Sequence, residues 1–273
     1  MPFRKSRIKV LVVLFVCLGA NSALSKILKR VKITKTDRQS EIRAFIEIPE
    51  NSKAVVFLFP GGPGNLKFSG KGELKSYTTN FTVISRKWFH ELGYTTVLFS
   101  VPIDIYDPYS EYRYSKKHAD DIVLFLKRVQ AKGAQDIFLV GHSQGTKSVL
   151  NLLANHNEFT AGVLYGTLLD SRSQKILENS RLKEKVIFIH HERDECVVTS
   201  YKSLLRWRKH SKPIREIPLY TVKSATASPL GGCQALSDHS FVGKEKEAID
   251  LVEPFFQKWL SRPQLRKAKK VAQ

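Results

Sequence analysis

Asp136-Ile137-Phe138-Leu139-Val140-Gly141-His142-Ser143-Gln144-Gly145-Thr146 is the stretch on which the reading of this chain turns. An apolar run with the look of a buried strand ends in Gly-His-Ser-Gln-Gly, and a helical pattern follows. The pattern G-x-S-x-G gains its meaning from that strand–turn–helix setting, in which a sharp turn lifts a serine hydroxyl clear of the sheet. A Cβ at Gly141 or Gly145 would meet the neighbouring strand or helix. The helix beginning here offers free N–H groups and the positive end of its dipole to an anion. Ser143 is therefore the candidate nucleophile.

The segments around it alternate between strand and helix patterns. Upstream, Ile27–Thr34 and Glu41–Ile48 alternate apolar with polar residues and predict two antiparallel strands. Ala54–Phe59 is continuously apolar, as a strand covered on both faces should be, and Pro60-Gly61-Gly62-Pro63-Gly64 ends it. Tyr77–Leu92 predicts a helix, Thr95–Val101 a strand, and Ser115–Ala131 a helix. Downstream come strands at Ala161–Gly166, Lys185–His190 and Ile217–Val222. Helices are expected at Ser173–Leu182, Ser200–His210 and, as one amphipathic element, Lys244–Leu260. No repeat and no interdomain linker interrupts the series. The expected fold is α/β, one domain over residues 26–262, with a mostly parallel central sheet and helices on both faces.

The chain has 273 residues, of which 42% are hydrophobic, enough for a sizeable core. Its first 25 residues read differently. Arg4, Lys5, Arg7 and Lys9 precede the apolar run Val10–Leu18, and small residues follow to Ser25. This is the layout of a signal peptide, with cleavage expected after Ala23 or Ser25. Nine apolar residues are too few to span a bilayer core. A secreted or periplasmic location is expected.

Export changes the meaning of the three cysteines. Cys17 leaves with the leader, and Cys196 and Cys233 remain. Two cysteines in an oxidising compartment suggest one disulfide; two free buried thiols are the alternative. The net charge of +20 falls to +16 without the four leader cations. So basic a protein will associate with anionic surfaces, a cell-envelope surface among them. No nucleic-acid motif is present, and the cations are spread along the chain. Residues 263–273 form a basic C-terminal tail.

On Gly141-His142-Ser143-Gln144-Gly145, the glycine-rich loop Pro60–Gly64 and the order nucleophile, acid, histidine, the chain resembles the α/β-hydrolase fold superfamily over roughly Ala54–Leu260. The Gly-Gly-Pro-Gly loop is similar to that of proline iminopeptidase relatives, with Pro60 in place of the histidine. The resemblance implies a serine hydrolase acting by acyl transfer, without metal or cofactor. It puts the acid at Asp194, with Glu192, Glu195 and Asp170 as competitors, and the base at His239. His142 would lie inside the turn with its side chain pointing away from the nucleophile. The oxyanion donors would be the N–H of Gln144 and that of Gly61 or Gly62; Pro63 has none to give. Gly166–Lys185, where this family commonly inserts a lid, leaves room for one short helix, so no large cap domain is expected. The tyrosine-rich loop, with Tyr106, Tyr109 and Tyr112, is a candidate substrate loop. A Cys196–Cys233 bridge would tie the acid loop to the histidine loop. The expected substrate is a small-molecule ester or thioester. An amidase or peptidase of the same fold, or a non-catalytic envelope-binding protein on it, are the alternatives.

Overall fold

The computed structural model describes residues 28–35, 41–69, 74, 79–102, 105, 111–131 and 133–260. The leader, the basic tail, and Tyr106 and Tyr109 of the tyrosine loop lie outside the described residues. Among the described residues eight strands, β1 (Leu28–Lys35), β2 (Glu41–Ile48), β3 (Val55–Phe59), β4 (Thr95–Phe99), β5 (Ile137–His142), β6 (Ala161–Tyr165), β7 (Val186–His191) and β8 (Leu219–Val222), form one sheet. Their order is β1-β2-β4-β3-β5-β6-β7-β8. β1 pairs antiparallel with β2, and β2 antiparallel with β4. From β4 to β8 every pairing is parallel.

The parallel strands explain their own sequences. Every residue of β3, β4, β5, β6 and β7 is buried, because helices cover both faces. One face carries α2 (Lys116–Gln130), α3 (Gly145–Asn155), α4 (Ser171–Leu177), α5 (Tyr201–His210) and α6 (Lys212–Glu216). Their Phe125, Leu150, Leu177, Leu204 and Ile214 share a core with Phe57, Leu139 and Phe188 of the sheet. The other face carries α1 (Phe81–Glu91), α7 (Glu245–Asp250) and α8 (Glu253–Trp259), where Phe256 stacks on Phe138 with ring centroids 3.9 Å apart. Side chains cap the helix starts: Asn80 Oδ1 accepts from Thr82 N–H, and Ser115 Oγ from His118 N–H.

The expected single helix over Lys244–Leu260 is two helices. Pro254 is the cause: it has no N–H to give and its ring excludes an uninterrupted preceding turn, so α8 restarts with proline in its first turn. Between β6 and β7 stand only α4 and a single 3₁₀ turn at Ser180–Leu182. Among the described residues there is no large cap. The chain steps from β3 outward to β4 and then returns to place β5 on the other side of β3. The loops after β3 and β5 therefore face each other at the carboxyl end of the sheet, where a crevice opens.

Candidate active site

Ser143 has φ 52°, a left-handed backbone that non-glycine residues rarely adopt. The turn is held because its surroundings leave no alternative: Ser143 N–H donates to Tyr165 O of β6, and Thr146 N–H to Ser143 O. An added Cβ on Gly141 would lie 2.5 Å from Gly145 O, and one on Gly145 only 2.0 Å from Phe59 O. Strand β3, strand β5 and helix α3 thus converge at backbone contact, with Ser143 at the point of convergence.

Asp194 and His239 come from loops far apart in sequence. His239 Nδ1 lies 3.0 Å from Asp194 Oδ2, with both side chains buried. Thr199 bridges the pair, its O–H donating to Asp194 Oδ2 at 3.0 Å while its oxygen sits 3.1 Å from His239 Nδ1. His190 Nε2 lies 2.8 Å from the same carboxylate oxygen, and Cys196 N–H donates to the other, Oδ1, at 2.9 Å. Burial, the largest influence on Asp194, pushes its carboxyl up; the hydrogen bonds and charge of His190 and His239 overcome it and hold the group well below the usual carboxylate range. An ionised Asp194 fixes the proton of His239 on Nδ1 and leaves Nε2 as an acceptor. Ser143, His239, Gln144, Gly61 and Gly62 all line one cavity of about 450 Å³.

Two of the three competitors for the acid are placed elsewhere. Asp170 caps α4 through Ser173 N–H and accepts from Tyr114 O–H, and Glu195 is exposed. Tyr112 corrects an expectation: it is buried, donates its O–H to Asp121 Oδ2 at 2.9 Å and packs its ring on His118, so it serves the scaffold and not the cavity. Nothing in the sequence marks Thr199 or Arg113 as part of the site, and little marks His190. Their roles come from contacts across the folded loops, and only the spacing of His190, four residues before Asp194, leaves a trace in the sequence.

His142 does not point away from the site. It lines the cavity, stands 4.6 Å ring to ring from His239, and its Nε2 lies 3.0 Å from His239 O. Burial pulls it down to about 3, with the neighbouring charge of His239 acting the same way, so it stays neutral. In the unfolded chain it titrates near its ordinary 6.5. Between those two values only the unfolded chain takes up the proton, so this contribution to stability is complete above pH 6.5 and is lost as pH falls toward 3, by up to about 5 kcal/mol. His142→Gln should flatten the pH dependence of the urea midpoint between pH 7 and 4. An unchanged slope would contradict this. Asp194, also depressed, acts in a lower window: its contribution is present above the ordinary carboxylate value and is lost only in stronger acid.

Cys196 and Cys233 are joined, with Cα atoms 4.5 Å apart. Cys196 is the residue whose N–H holds Asp194, and Cys233 lines the cavity six residues before His239. Closing a 37-residue loop contributes roughly 4 kcal/mol in the chain-entropy model. Reduction, with thiol release verified, should lower the melting temperature by roughly 10 °C and reduce activity with it. Unchanged melting and full activity would show that the bridge is dispensable.

The sheet order, the convergence at Ser143 and the position of the crevice define the α/β-hydrolase fold. Three solved structures show the same architecture. A cold-adapted esterase from an Arctic intertidal metagenomic library matches with TM-score 0.57 and 16% identity, over 87% of this chain and 96% of the other. A Pyrococcus furiosus esterase matches with TM-score 0.61 and 10% identity, over 86% and 94%. An α/β serine hydrolase without lid from Xanthomonas campestris matches with TM-score 0.59 and 14% identity, over 86% and 97%. No family model and no curated protein matches the sequence.

Proposed function

We propose that this protein is an exported serine hydrolase that cleaves a carboxylic ester or thioester through an acyl-enzyme. The observation that carries the reading is the buried 3.0 Å contact between Asp194 and His239 at the wall of the cavity that Ser143 enters from its strained turn. Ser143 Oγ attacks the carbonyl carbon as His239 Nε2 takes its proton. The N–H of Gln144 and that of Gly61 or Gly62 receive the charge on the carbonyl oxygen. The tetrahedral species collapses, the alcohol or thiol leaves with the proton from His239, and water, deprotonated in turn by His239, releases the acid and restores Ser143.

A peptidase that selects a free terminus needs a charged anchor, and the described residues lining the cavity supply none. Export rests on the leader, and N-terminal sequencing of the mature protein should begin at Leu24 or Lys26. The catalytic reading is tested with a fluorophosphonate probe. One covalent adduct on the wild type, absent from a folded Ser143→Ala variant, is the expected result. A folded wild type that takes no label points instead to a non-catalytic binder on this fold.

A further inference from the structure

The chain carries 45 Lys and Arg and 25 Asp and Glu, yet no described residue lining the cavity is one of them. Beyond the catalytic groups the walls include Pro60, Pro63, Leu66 and Val198, with Asn65, Thr79, Asn80, Ser240 and the neutral His142 as uncharged polar groups. The mouth continues this character outward. Among the described residues six large hydrophobic side chains are exposed, and four of them, Val197, Val198, Leu230 and Leu236, lie in the two loops that the disulfide joins. Val197 is 86% exposed and Leu236 44%. Val198 and Ala235, the immediate neighbours of these two, line the cavity, one from the acid loop and one from the histidine loop. The apolar lip is thus continuous with the cavity. Apolar surface of this kind is retained at sites that meet an apolar partner.

Resting on the hydrolase reading, we infer that the substrate is an uncharged ester with an apolar chain, whose reacting end enters the cavity while the chain runs out over the lip formed by Val197, Val198, Leu230 and Leu236. Burying even two of the six methylenes that separate an octanoyl from an acetyl ester gives roughly tenfold in kcat/KM. The test is a series of p-nitrophenyl acetate, butyrate and octanoate, together with a p-nitrophenyl ester whose acyl chain ends in a carboxylate. Octanoate should exceed acetate by at least that roughly tenfold factor, and the carboxylate-ended ester should fall below the neutral ester of equal length. Leu236→Asp and Val197→Asp should collapse the octanoate-to-acetate ratio toward one. A flat series with Ser143-dependent acetate hydrolysis overturns this inference and leaves the hydrolase reading standing. A ratio untouched by both lip variants also overturns it. Hydrolysis of no ester at all overturns this inference, and if Ser143 also takes no fluorophosphonate label the hydrolase reading falls with it.

A separate observation concerns Arg113. Its guanidinium is buried, and among the described residues no carboxylate is placed to pair with it. Burial pulls it down to about 10, countered in part by Tyr112, so it keeps its charge at neutral pH. Its fork joins a loop to a helix: Nη2 donates to Pro60 O at 3.0 Å and reaches Gly62 O at 3.5 Å, while Nη1 donates to Ser148 Oγ of α3 at 3.3 Å. In a trans peptide the N–H points opposite to the C=O, so gripping Pro60 O fixes the direction of the Gly61 N–H. Gly61 itself packs on Ser143, with an ideal Cβ 3.2 Å from the serine Cβ. The geometry points to Arg113 as a positioning residue that aims the upstream oxyanion donor and fastens its loop to the nucleophile helix.

Loss of this aim should resemble loss of an oxyanion donor, about 10²-fold in kcat with KM nearly unchanged, in Arg113→Met. Arg113→Lys keeps the charge but loses the fork, and should fall between that variant and the wild type. In Arg113→Ala, millimolar guanidinium should restore part of kcat where equal urea does not. Affinity for a boronic acid, which mimics the tetrahedral oxyanion, should drop in step with kcat/KM. If Arg113→Lys keeps wild-type kcat and boronate affinity, or if KM carries the whole loss, the assignment is wrong.

Discussion

Asp194→Asn should give a folded protein with kcat about 10⁴ below the wild type, a loss of the size produced elsewhere when the base is held in the wrong tautomer. The reason lies in the four donors around this one carboxylate. Oδ1 accepts from Cys196 N–H, while Oδ2 faces His239 Nδ1, His190 Nε2 and Thr199 O–H. An asparagine has one oxygen for these two sides. If the oxygen stays with Cys196, the amide N–H₂ turns toward His239, which must then present Nδ1 as acceptor and carry its proton on Nε2. The nitrogen that should deprotonate Ser143 is thereby filled. If the amide flips, N–H₂ meets the Cys196 N–H, donor against donor in a buried site, and the loop that the disulfide anchors is pushed away. Either arrangement disables the base. Steady-state kinetics on p-nitrophenyl butyrate, with Glu192→Gln and Glu195→Gln as comparisons within about twofold, would check this. Activity within tenfold of the wild type in Asp194→Asn would remove Asp194 from the role of acid.

The second large effect is on folding. Gly145→Ala adds a carbon 2.0 Å from Phe59 O, 2.8 Å from Phe59 C and 3.1 Å from Pro60 O, all backbone atoms. A flexible side chain could move aside, but the end of β3 cannot, because it is paired with β4 and β5 on its two sides. The clash would drive α3 away from β3 and separate Ser143 from the Gly61 loop. A cost above about 4 kcal/mol is expected, among the largest that single substitutions produce, seen as insoluble expression or a lost cooperative melt. Gly231→Ala is the matching control. It has no atom within 4 Å of its ideal Cβ and no left-handed backbone, so its change should stay within about 0.5 kcal/mol. A well-folded Gly145→Ala would mean that the three elements do not meet as closely as described.

The contrast between these positions also explains what a reader of the sequence can recover. The strands were legible because burial on both faces forces continuous apolar runs such as Val55–Phe59 and residues 186–189. Gly141 and Gly145 were legible because close backbone approach leaves only glycine, and the two of them, between a strand and a helix, marked Ser143. The break at Pro254 could have been read from the proline, but the amphipathic pattern on either side of it hid the interruption. Helix α6, which opens with Pro213 in its first turn, carries too few residues for a period to show. Thr199, His190 and Arg113 were hidden for a different reason. A threonine five residues beyond an aspartate has no fixed partner until the turn at residues 192–199 folds. An arginine between Tyr112 and Tyr114 acquires meaning only when β4 and β3 bring their loops together. Tyr112 misled for the same cause, since nothing in the sequence announces Asp121 as the acceptor of its hydroxyl.

Strand β1 is one margin of the sheet, with eight residues paired on β2 alone among the described strands, whereas the opposite margin, β8, has only four residues. A long free margin is a template on which another copy of the chain could add itself, strand to strand. Four of the eight residues of β1 are Lys29, Arg30, Lys32 and Lys35. Because half of its sequence is cationic, this margin is expected to resist pairing with a second copy, so part of the net positive charge would keep copies of the protein apart in a crowded solution.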